Sequence, residues 1–261
     1  EGEGYMRLEP RSAAEELELE LAMGVGPSEL SPLAPATVRT AVKKLSTGKS
    51  STGNSLPGEC WKTLAQLDGW VEDVAERLDA VLRDQRFPRV VTVGRMVDIP
   101  KPGKSGPAGR RLIHVLSSTA KLVSTALWET MCGDPQVQPR EQQCGFVPGR
   151  SCSDATWMKE VSCQKLLRTG WCVLRIGLDI RQAFPTVCHR RMAEEIGSWS
   201  GLIRDVGKSM MRMLYQASVE FDCPGEGAQT MFMRSGTRQG DTAGPHLFRV
   251  MFDRILAAFE E

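Results

Sequence analysis

The sequence predicts an α+β fold, because helical and extended patterns are both present and do not alternate strictly. Apolar residues recur at helical spacing through residues 59–86, from Trp61 to Leu82. Val and Ile are concentrated in residues 89–99, which is typical of a strand. Residues 219–233 surround a Pro-Gly-Glu-Gly sequence, which favours a β-hairpin. A mixed order of helices and strands is typical of the α+β class.

The composition of the 261-residue chain is that of a globular protein. Hydrophobic residues make up 41% and charged residues 25%, which suffices for a sizeable core and argues against global disorder. No apolar run approaches the roughly 20 residues that cross a bilayer, so we expect no membrane partner. The chain begins with Glu1 and shows no secretory pattern, and without a starting Met we expect the natural N-terminus to lie upstream.

The eight cysteines include no C-x-x-C pair, and only three histidines accompany them. The spacing of zinc ligands is therefore absent. We expect reduced thiols and an intracellular protein, with the nucleus as one candidate compartment.

Charge is distributed unevenly along the chain. The net charge is only +1, but residues 1–35 hold eight Glu and two Arg, a net of −6. The remainder carries +7, from 31 basic and 24 acidic residues. A basic excess of this size is compatible with a nucleic-acid partner. The acidic segment would then compete with nucleic acid for the basic surface.

The N-terminal part of the chain predicts two helices separated by a linker. Residues 11–23 form an acidic helical pattern that Ser12 can cap. Residues 24–36 contain three prolines and two glycines, which is typical of a linker. An amphipathic helix is predicted from Thr37, and residues 46–58 form a Ser/Thr/Gly/Pro-rich loop.

The remaining elements follow the same two periodicities. The strand at 89–99 is followed by a basic Gly/Pro loop at 101–110 and an extended segment at 112–116. The apolar run from Cys172 to Asp179 predicts a buried strand. Helices are predicted at about 121–131, 188–197, 202–217 and 245–260.

The segment from Gly177 to Pro185 is the first candidate for chemistry. An apolar strand there delivers Asp179 at its end, and Phe184 follows five residues later. Nucleotidyl transfer needs such a carboxylate, because two Mg²⁺ ions must be held beside the attacking hydroxyl and the leaving pyrophosphate. Taken alone, an Asp at a strand end is more often a turn residue or a helix cap.

The second candidate segment runs from Ser235 to Phe248. Its glycines allow a close backbone approach to a ligand, and Gln239 can hydrogen-bond a sugar or a base edge. Pro245 suits the first turn of the helix that follows. An ordinary Gly-rich turn before a core helix explains the segment equally well.

Taken in order, these segments resemble the motifs of reverse transcriptases of the non-LTR retrotransposon type. The resemblance covers roughly residues 37–256, and several motifs in the right order make coincidence implausible. The matching segments are Gly48–Pro57, Ile99–Lys104, Arg111–Leu116, Gln143–Asp154, Gly177–Pro185 and Ser235–Phe248.

The resemblance implies roles for two residues that would hold metal and for one that would contact the sugar. Asp179 would bind both Mg²⁺ ions, and the carbonyl of Ile180 would support one of them. Phe184 would lie under the incoming sugar and exclude a 2′ hydroxyl.

The resemblance also implies a binding site for the incoming nucleotide. Gln239 and Gly240 would contact the nucleotide, while Lys101 and Arg111 would hold its triphosphate, with Lys104 competing for the role of Lys101. For the lysines, a solvated basic loop is the alternative interpretation.

The implied architecture is a right-hand polymerase fold with fingers, a partial palm and no thumb. Its divisions would be an acidic leader and linker at 1–36, fingers at 37–171 and partial palm at 172–261. The implied activity is RNA-directed DNA synthesis with Mg²⁺, an RNA template, a DNA primer and dNTPs. The chain contains no Asp-Asp pair, which the family carries in a second catalytic turn, so we expect a truncated polymerase.

Three alternatives remain at the level of sequence. The chain could be a non-catalytic RNA-binding or assembly module, which grips backbone phosphates without reading bases. It could be a non-functional truncated element copy. The third alternative, a maturase-like reverse transcriptase of an intron, is nearer to the retrotransposon interpretation than the other two.

Overall fold

The computed structural model describes residues 6–24, 33–49, 51–52, 55–103, 105–106, 109–223 and 225–258. Three residues of the loop at 46–58 and Lys104, the alternative phosphate ligand, lie outside these ranges. The described residues form ten helices and one five-stranded sheet, which confirms the α+β class. The helices are α1 (Ala13–Ala22), α2 (Pro35–Lys44), α3 (Gly58–Leu64), α4 (Trp70–Asp84), α5 (Arg89–Thr92), α6 (Ser118–Met131), α7 (Cys152–Arg168), α8 (His189–Ser198), α9 (Gly201–Tyr215) and α10 (Gly244–Ala257).

The sheet joins two hairpins that are far apart in the sequence. The strands are β1 (Met6–Arg7), β2 (Val93–Pro100), β3 (Arg110–Val115), β4 (Ser218–Cys223) and β5 (Gly227–Met233). Their order is β1-β5-β4-β2-β3, and only β2 and β4 are parallel. The predicted hairpin at 219–233 is therefore confirmed as β4 and β5. The β2–β3 hairpin lies at one edge of the sheet. One edge of β3 pairs with β2, and its other edge has no neighbouring strand among the described residues.

The hydrophobic core lies among the helices, with α6 and α9 at its centre. Nearly every residue of both helices is buried, and α2 packs against α6. The buried residues of α9 include Asp205, Lys208 and Arg212, so this core position also encloses charged side chains. No helix among the described residues has the length and apolar character that crossing a membrane requires.

The N-terminal segment, residues 6–24, is packed into this body. β1 adds a short strand to β5, and Leu19 and Met23 are buried in the core. The carboxylate of Glu20 accepts hydrogen bonds from Arg212 at 2.7 and 2.6 Å. Packing is close at this interface, since a side chain at Gly197 would collide with the carbonyl of Ala22.

Two predicted elements are interrupted in the structure. The helix expected over 59–86 is divided into α3 and α4, because Gly69 takes a left-handed conformation with φ of 75°. The strand expected over 89–99 begins with the helical turn α5, and only residues from Val93 onwards are extended. The helices predicted near 121–131, 188–197, 202–217 and 245–260 are confirmed as α6, α8, α9 and α10.

The prediction of a buried strand from Cys172 to Asp179 is wrong. Residues 171–180 form no strand, and Leu174, Ile176 and Leu178 are 84%, 74% and 80% exposed. The apolar pattern of residues 172–179 is that of a buried strand. Such a strand is buried only when a neighbouring strand pairs with it, and none of the described residues forms one beside this segment. Its side-chain anchor is a bidentate pair from Arg175 to Glu160 of α7, at 2.9 and 3.1 Å.

The Glu20–Arg212 pair gives the first test of this fold. Arg212 is only 7% exposed, so Glu20→Gln leaves a buried cation without its carboxylate. We expect the free energy of unfolding to fall by about 2 kcal/mol, less than for a fully buried pair because the Glu20 side chain is 31% exposed. Urea denaturation measures the change, and Glu18→Gln, an exposed position on the same helix, should change stability little. Equal effects of the two variants would contradict the packed N-terminal segment.

Candidate nucleotide site

Four of the residues singled out in the sequence line one cavity of about 840 Å³. Lys101 and Arg111 supply basic groups to it, and Phe184 and Gln239 also line it. The first pair lies 73 or more residues before the second in the sequence. The fold therefore assembles a single concave site from the two candidate segments and the basic loop.

The basic residues of the cavity lie at the loop end of the β2–β3 hairpin. Arg111 pairs in register with Ile99, and the backbone N–H of Lys101 donates to the Gly109 carbonyl at 2.6 Å. Arg110 also lines the cavity, but its guanidinium forms an ion pair with Asp98. The hairpin thus places two further cations beside a pair that is already neutralised.

The loop that carries Gln239 is docked on β3 through its backbone. The N–H of His114 donates to the Gln239 carbonyl at 2.8 Å. Gly240 has φ of 124°, and a Cβ there would lie well inside van der Waals contact of the His114 carbonyl. The glycines of this segment predicted a close backbone approach to a ligand. In the structure, the backbone at Gly240 approaches strand β3 closely.

A buried ion pair shapes this loop, and the sequence analysis missed it. Arg238 donates to Asp241 at 3.0 and 2.6 Å, and it also donates to the Val91 carbonyl at 2.9 Å. The second oxygen of Asp241 accepts from the N–H of Ala243 at the start of α10. The only signal in the sequence was that Arg238 and Asp241 are three residues apart. Exposed ion pairs often have the same spacing, so it does not indicate burial.

Phe184 is held against the segment that connects β5 to the same loop. The Phe184 carbonyl accepts from Thr237 N–H at 3.0 Å, and the Val187 carbonyl accepts from Gly236 N–H at 2.6 Å. We call this contact between residues 184–189 and residues 234–237 the seam. Because it joins the two candidate segments directly, the seam sets the distance between Phe184 and Gln239.

The Phe184 ring lies between two other phenylalanine rings. Its centroid is 6.0 Å from that of Phe146, in an edge-on arrangement, and 5.2 Å from that of Phe248. Aromatic pairs at these separations are favourable beyond their burial. Phe146 belongs to the matching segment Gln143–Asp154, but the sequence did not predict its contact with Phe184.

Asp179 and Ile180 are not among the residues that line this cavity. Asp179 is exposed on the unpaired segment, and Ile180 lines a neighbouring apolar cavity of about 780 Å³ with Phe252 and Ile255. Within the described ranges, no three His, Cys, Asp or Glu side chains are grouped so that they could hold a metal ion. Asp179 alone does not make up the ligand set of a two-metal site, and its role as a metal ligand stays a prediction.

Three histidines have lowered pKa values; His114 and His189 are buried, and His246 is half-buried. Burial is the main cause that lowers the pKa of His114, His189 and His246, in each case to about 4. Nearby cations add to it, namely Arg238 for His114, Arg11 for His189 and Arg249 for His246. His246 also stacks on Trp128, with ring centroids 4.3 Å apart. All three imidazoles are therefore neutral near pH 7.

Gly240→Ala tests the docking of the Gln239 loop. The added methyl group cannot coexist with the His114 carbonyl in its present position, so the loop must shift away from β3. We expect a loss of about 2 kcal/mol in stability from the strained backbone and the displaced contact. Thermal unfolding measures the loss, and Gly103→Ala, another glycine with positive φ but open surroundings, should cost less. Equal losses would mean that backbone strain alone accounts for the effect.

The histidines predict a pH dependence of stability between about pH 6.5 and pH 4. A histidine with a lowered folded pKa stabilises the fold fully above its unfolded pKa of about 6.5, and this contribution is lost as the pH falls toward the folded pKa. Each histidine contributes a slope of up to about 1.4 kcal/mol per pH unit in this window. Carboxylates with ordinary pKa values near 4 change their protonation mainly below this pH window.

Urea unfolding at several pH values between about 7 and 5 measures this slope. We expect stability to fall with pH, and His246→Gln should reduce the slope by roughly the contribution of one proton. A stability that stays constant over this range would show that the histidines are not buried as neutral groups.

Comparison with known proteins identifies the family of the chain. A relative described as the "Retrovirus-related Pol polyprotein from type-1 retrotransposable element R2" of Popillia japonica is 24% identical over 177 residues. That match covers 66% of this chain but only 24% of the relative, so the chain spans about a quarter of the length of that polyprotein. The family model of reverse transcriptase (RNA-dependent DNA polymerase) matches residues 99–261, more than half of the chain, and includes both sides of the cavity. The chain belongs to the reverse transcriptase family.

Proposed function

We propose that this chain is the nucleotide-binding part of an RNA-directed DNA polymerase from a retrotransposon. The observation that carries the proposal is the cavity that Lys101, Arg111, Phe184 and Gln239 line together. In the right-hand description of such enzymes, residues 37–171 correspond to the fingers and residues 172–261 to part of the palm. The β2–β3 hairpin then lies on the fingers side of the cavity.

The two sides of the cavity suit different parts of a deoxynucleoside triphosphate. Lys101 and Arg111 offer positive charge to the triphosphate, and Arg can contact it through two N–H groups at once. Phe184 offers a flat apolar face to the sugar, and Gln239 can both donate and accept hydrogen bonds. The cavity volume of about 840 Å³ falls within the range of sites for small-molecule ligands.

The proposed parent activity uses Mg²⁺, with an RNA template and a DNA primer. Asp179 is the one carboxylate proposed as a metal ligand in this chain, with the Ile180 carbonyl beside it. Two Mg²⁺ ions would supply charge stabilisation for phosphoryl transfer when bound. The residues described here do not complete such a site, so binding of nucleotide and of nucleic acid are the functions proposed for this chain itself.

Non-catalytic RNA binding is a second candidate, favoured by the charge of +7 beyond residue 35. It would be sensitive to salt and tolerant of sequence, because it depends on phosphate contacts. The two candidates differ at Arg111. A nucleotide site needs this residue specifically, whereas general RNA binding needs only part of the basic surface.

Arg111→Ala tests the nucleotide site. Removal of one cation that contacts phosphate should weaken binding of dTTP, in the presence of an RNA–DNA hybrid with adenine as the template base, by about tenfold. Equilibrium dialysis with labelled dTTP measures the affinity. Arg83→Ala removes an exposed cation from α4 and serves as the control, with little change expected.

Other outcomes of this experiment separate the two candidates. Hybrid binding that is lost at high salt, without any dTTP binding, would leave only the RNA-binding function. Template-dependent primer extension by this chain alone would show that its carboxylates form a metal site that the structure does not reveal.

A further inference from the structure

We propose that Arg11 is a positioning residue, which closes the seam and so fixes Phe184 relative to Gln239. The inference rests on the proposed function, because it assigns the seam to the nucleotide site. The residue is distant in sequence from the seam, since its two contacts there span 178 and 223 positions.

Arg11 contacts both sides of the seam through one nitrogen. Its Nη2 lies 2.8 Å from Nδ1 of His189 and also donates to the carbonyl of Arg234. His189 ends the side of the seam that begins at Phe184, and Arg234 begins the side that leads to Gln239. A single guanidinium nitrogen therefore bridges the two segments that carry the site residues.

The chemistry of the partners determines how His189 is protonated. A guanidinium nitrogen only donates, so Nδ1 of His189 accepts from Arg11. A carbonyl only accepts, so Nε2–H of His189 donates to the Gly236 carbonyl, 2.8 Å away. The imidazole is thus a neutral Nε2–H tautomer, and it relays the contact of Arg11 across the seam to the backbone between Ser235 and Thr237.

A second residue of the N-terminal segment keeps the far side of this bridge in place. Glu15 accepts from both terminal nitrogens of Arg234, at 2.9 and 3.3 Å, and Arg234 is only 5% exposed. The side chain and the carbonyl of Arg234 are therefore both held by this segment, through Glu15 and Arg11 respectively. The arrangement leaves little freedom for residue 234 to move relative to His189.

The bridge lies directly behind the nucleotide cavity. Arg11 and His189 line a second cavity of about 570 Å³, and Gln182 and Pro185 line both cavities. The wall between the two cavities therefore contains the neighbours of Phe184. If the bridge opened, the wall would lose its support on the side away from the nucleotide.

General anchoring of the N-terminal segment is a separate matter. Its other end is fixed by Glu20, which pairs with Arg212, and by Met23 in the core. Glu20→Gln therefore weakens the segment without touching the seam. Comparison of this variant with Arg11→Met, which keeps an apolar stem but removes the donors, separates positioning from anchoring.

Amide hydrogen exchange on the 261-residue chain, without any ligand, provides the test. In Arg11→Met, exchange at Gly236 and Thr237 should accelerate about tenfold relative to the β2–β3 hairpin, as expected for loss of a charged hydrogen bond. Glu20→Gln should not produce this selective change. Arg11→Lys, whose ammonium can donate to both acceptors, should recover part of the protection.

The exchange results decide whether Arg11 closes the seam, independently of the proposed function. Wild-type exchange at the seam in Arg11→Met, or the same pattern in Glu20→Gln, would overturn it. Affinity for dTTP, measured as for Arg111, should fall several-fold in Arg11→Met and recover in Arg11→Lys. A wild-type chain that binds no dTTP would remove the nucleotide function, while selective exchange in Arg11→Met would still establish the bridge.

Discussion

The buried pair of Arg238 and Asp241 is the interaction on which the arrangement of the site depends. A buried charge is costly unless it is paired and its other hydrogen bonds are made. Arg238 meets this requirement only when the Val91 carbonyl, Asp241 and the loop between them are all in place. The pair therefore joins α5, the Gln239 loop and the start of α10 in one contact. Disruption of any of these three parts leaves a charged group buried without its partner.

The sequence predicted those parts of the fold that are determined locally. Apolar periodicity predicted α6, α8, α9 and α10, and the turn composition predicted the β4–β5 hairpin, because each element selects its own residues. The interruptions at Gly69 and Val93 were not predicted, since a single backbone conformation or the packing of Val91 decides them. The parallel pairing of β2 with β4 also carries no local signal, since it joins residues more than 100 positions apart.

The site divides in the same way. Lys101, Arg111, Phe184 and Gln239 could be proposed because each lies in a motif that can be recognised from neighbouring residues, and the structure brings these four to one cavity. Arg11 could not be found, because its contacts are with residues that follow it by well over one hundred positions. A lone Arg in an acidic segment has no pattern that distinguishes it from a surface cation. The segment was interpreted from its net charge, whereas its role is set by the two carboxylates that pair with Arg212 and Arg234.

The nucleotide cavity and the proposed metal ligand differ in how firmly the structure holds them. Backbone hydrogen bonds, three phenylalanine rings and a buried ion pair fix Phe184 and Gln239. Asp179 lies instead at the end of an exposed apolar segment without a strand partner among the described residues. Charge stabilisation in catalysis depends on groups that are already oriented before the reaction. The proposed nucleotide recognition therefore rests on residues that the fold holds in place, whereas Asp179 lies on a segment that no neighbouring strand of the described residues orients.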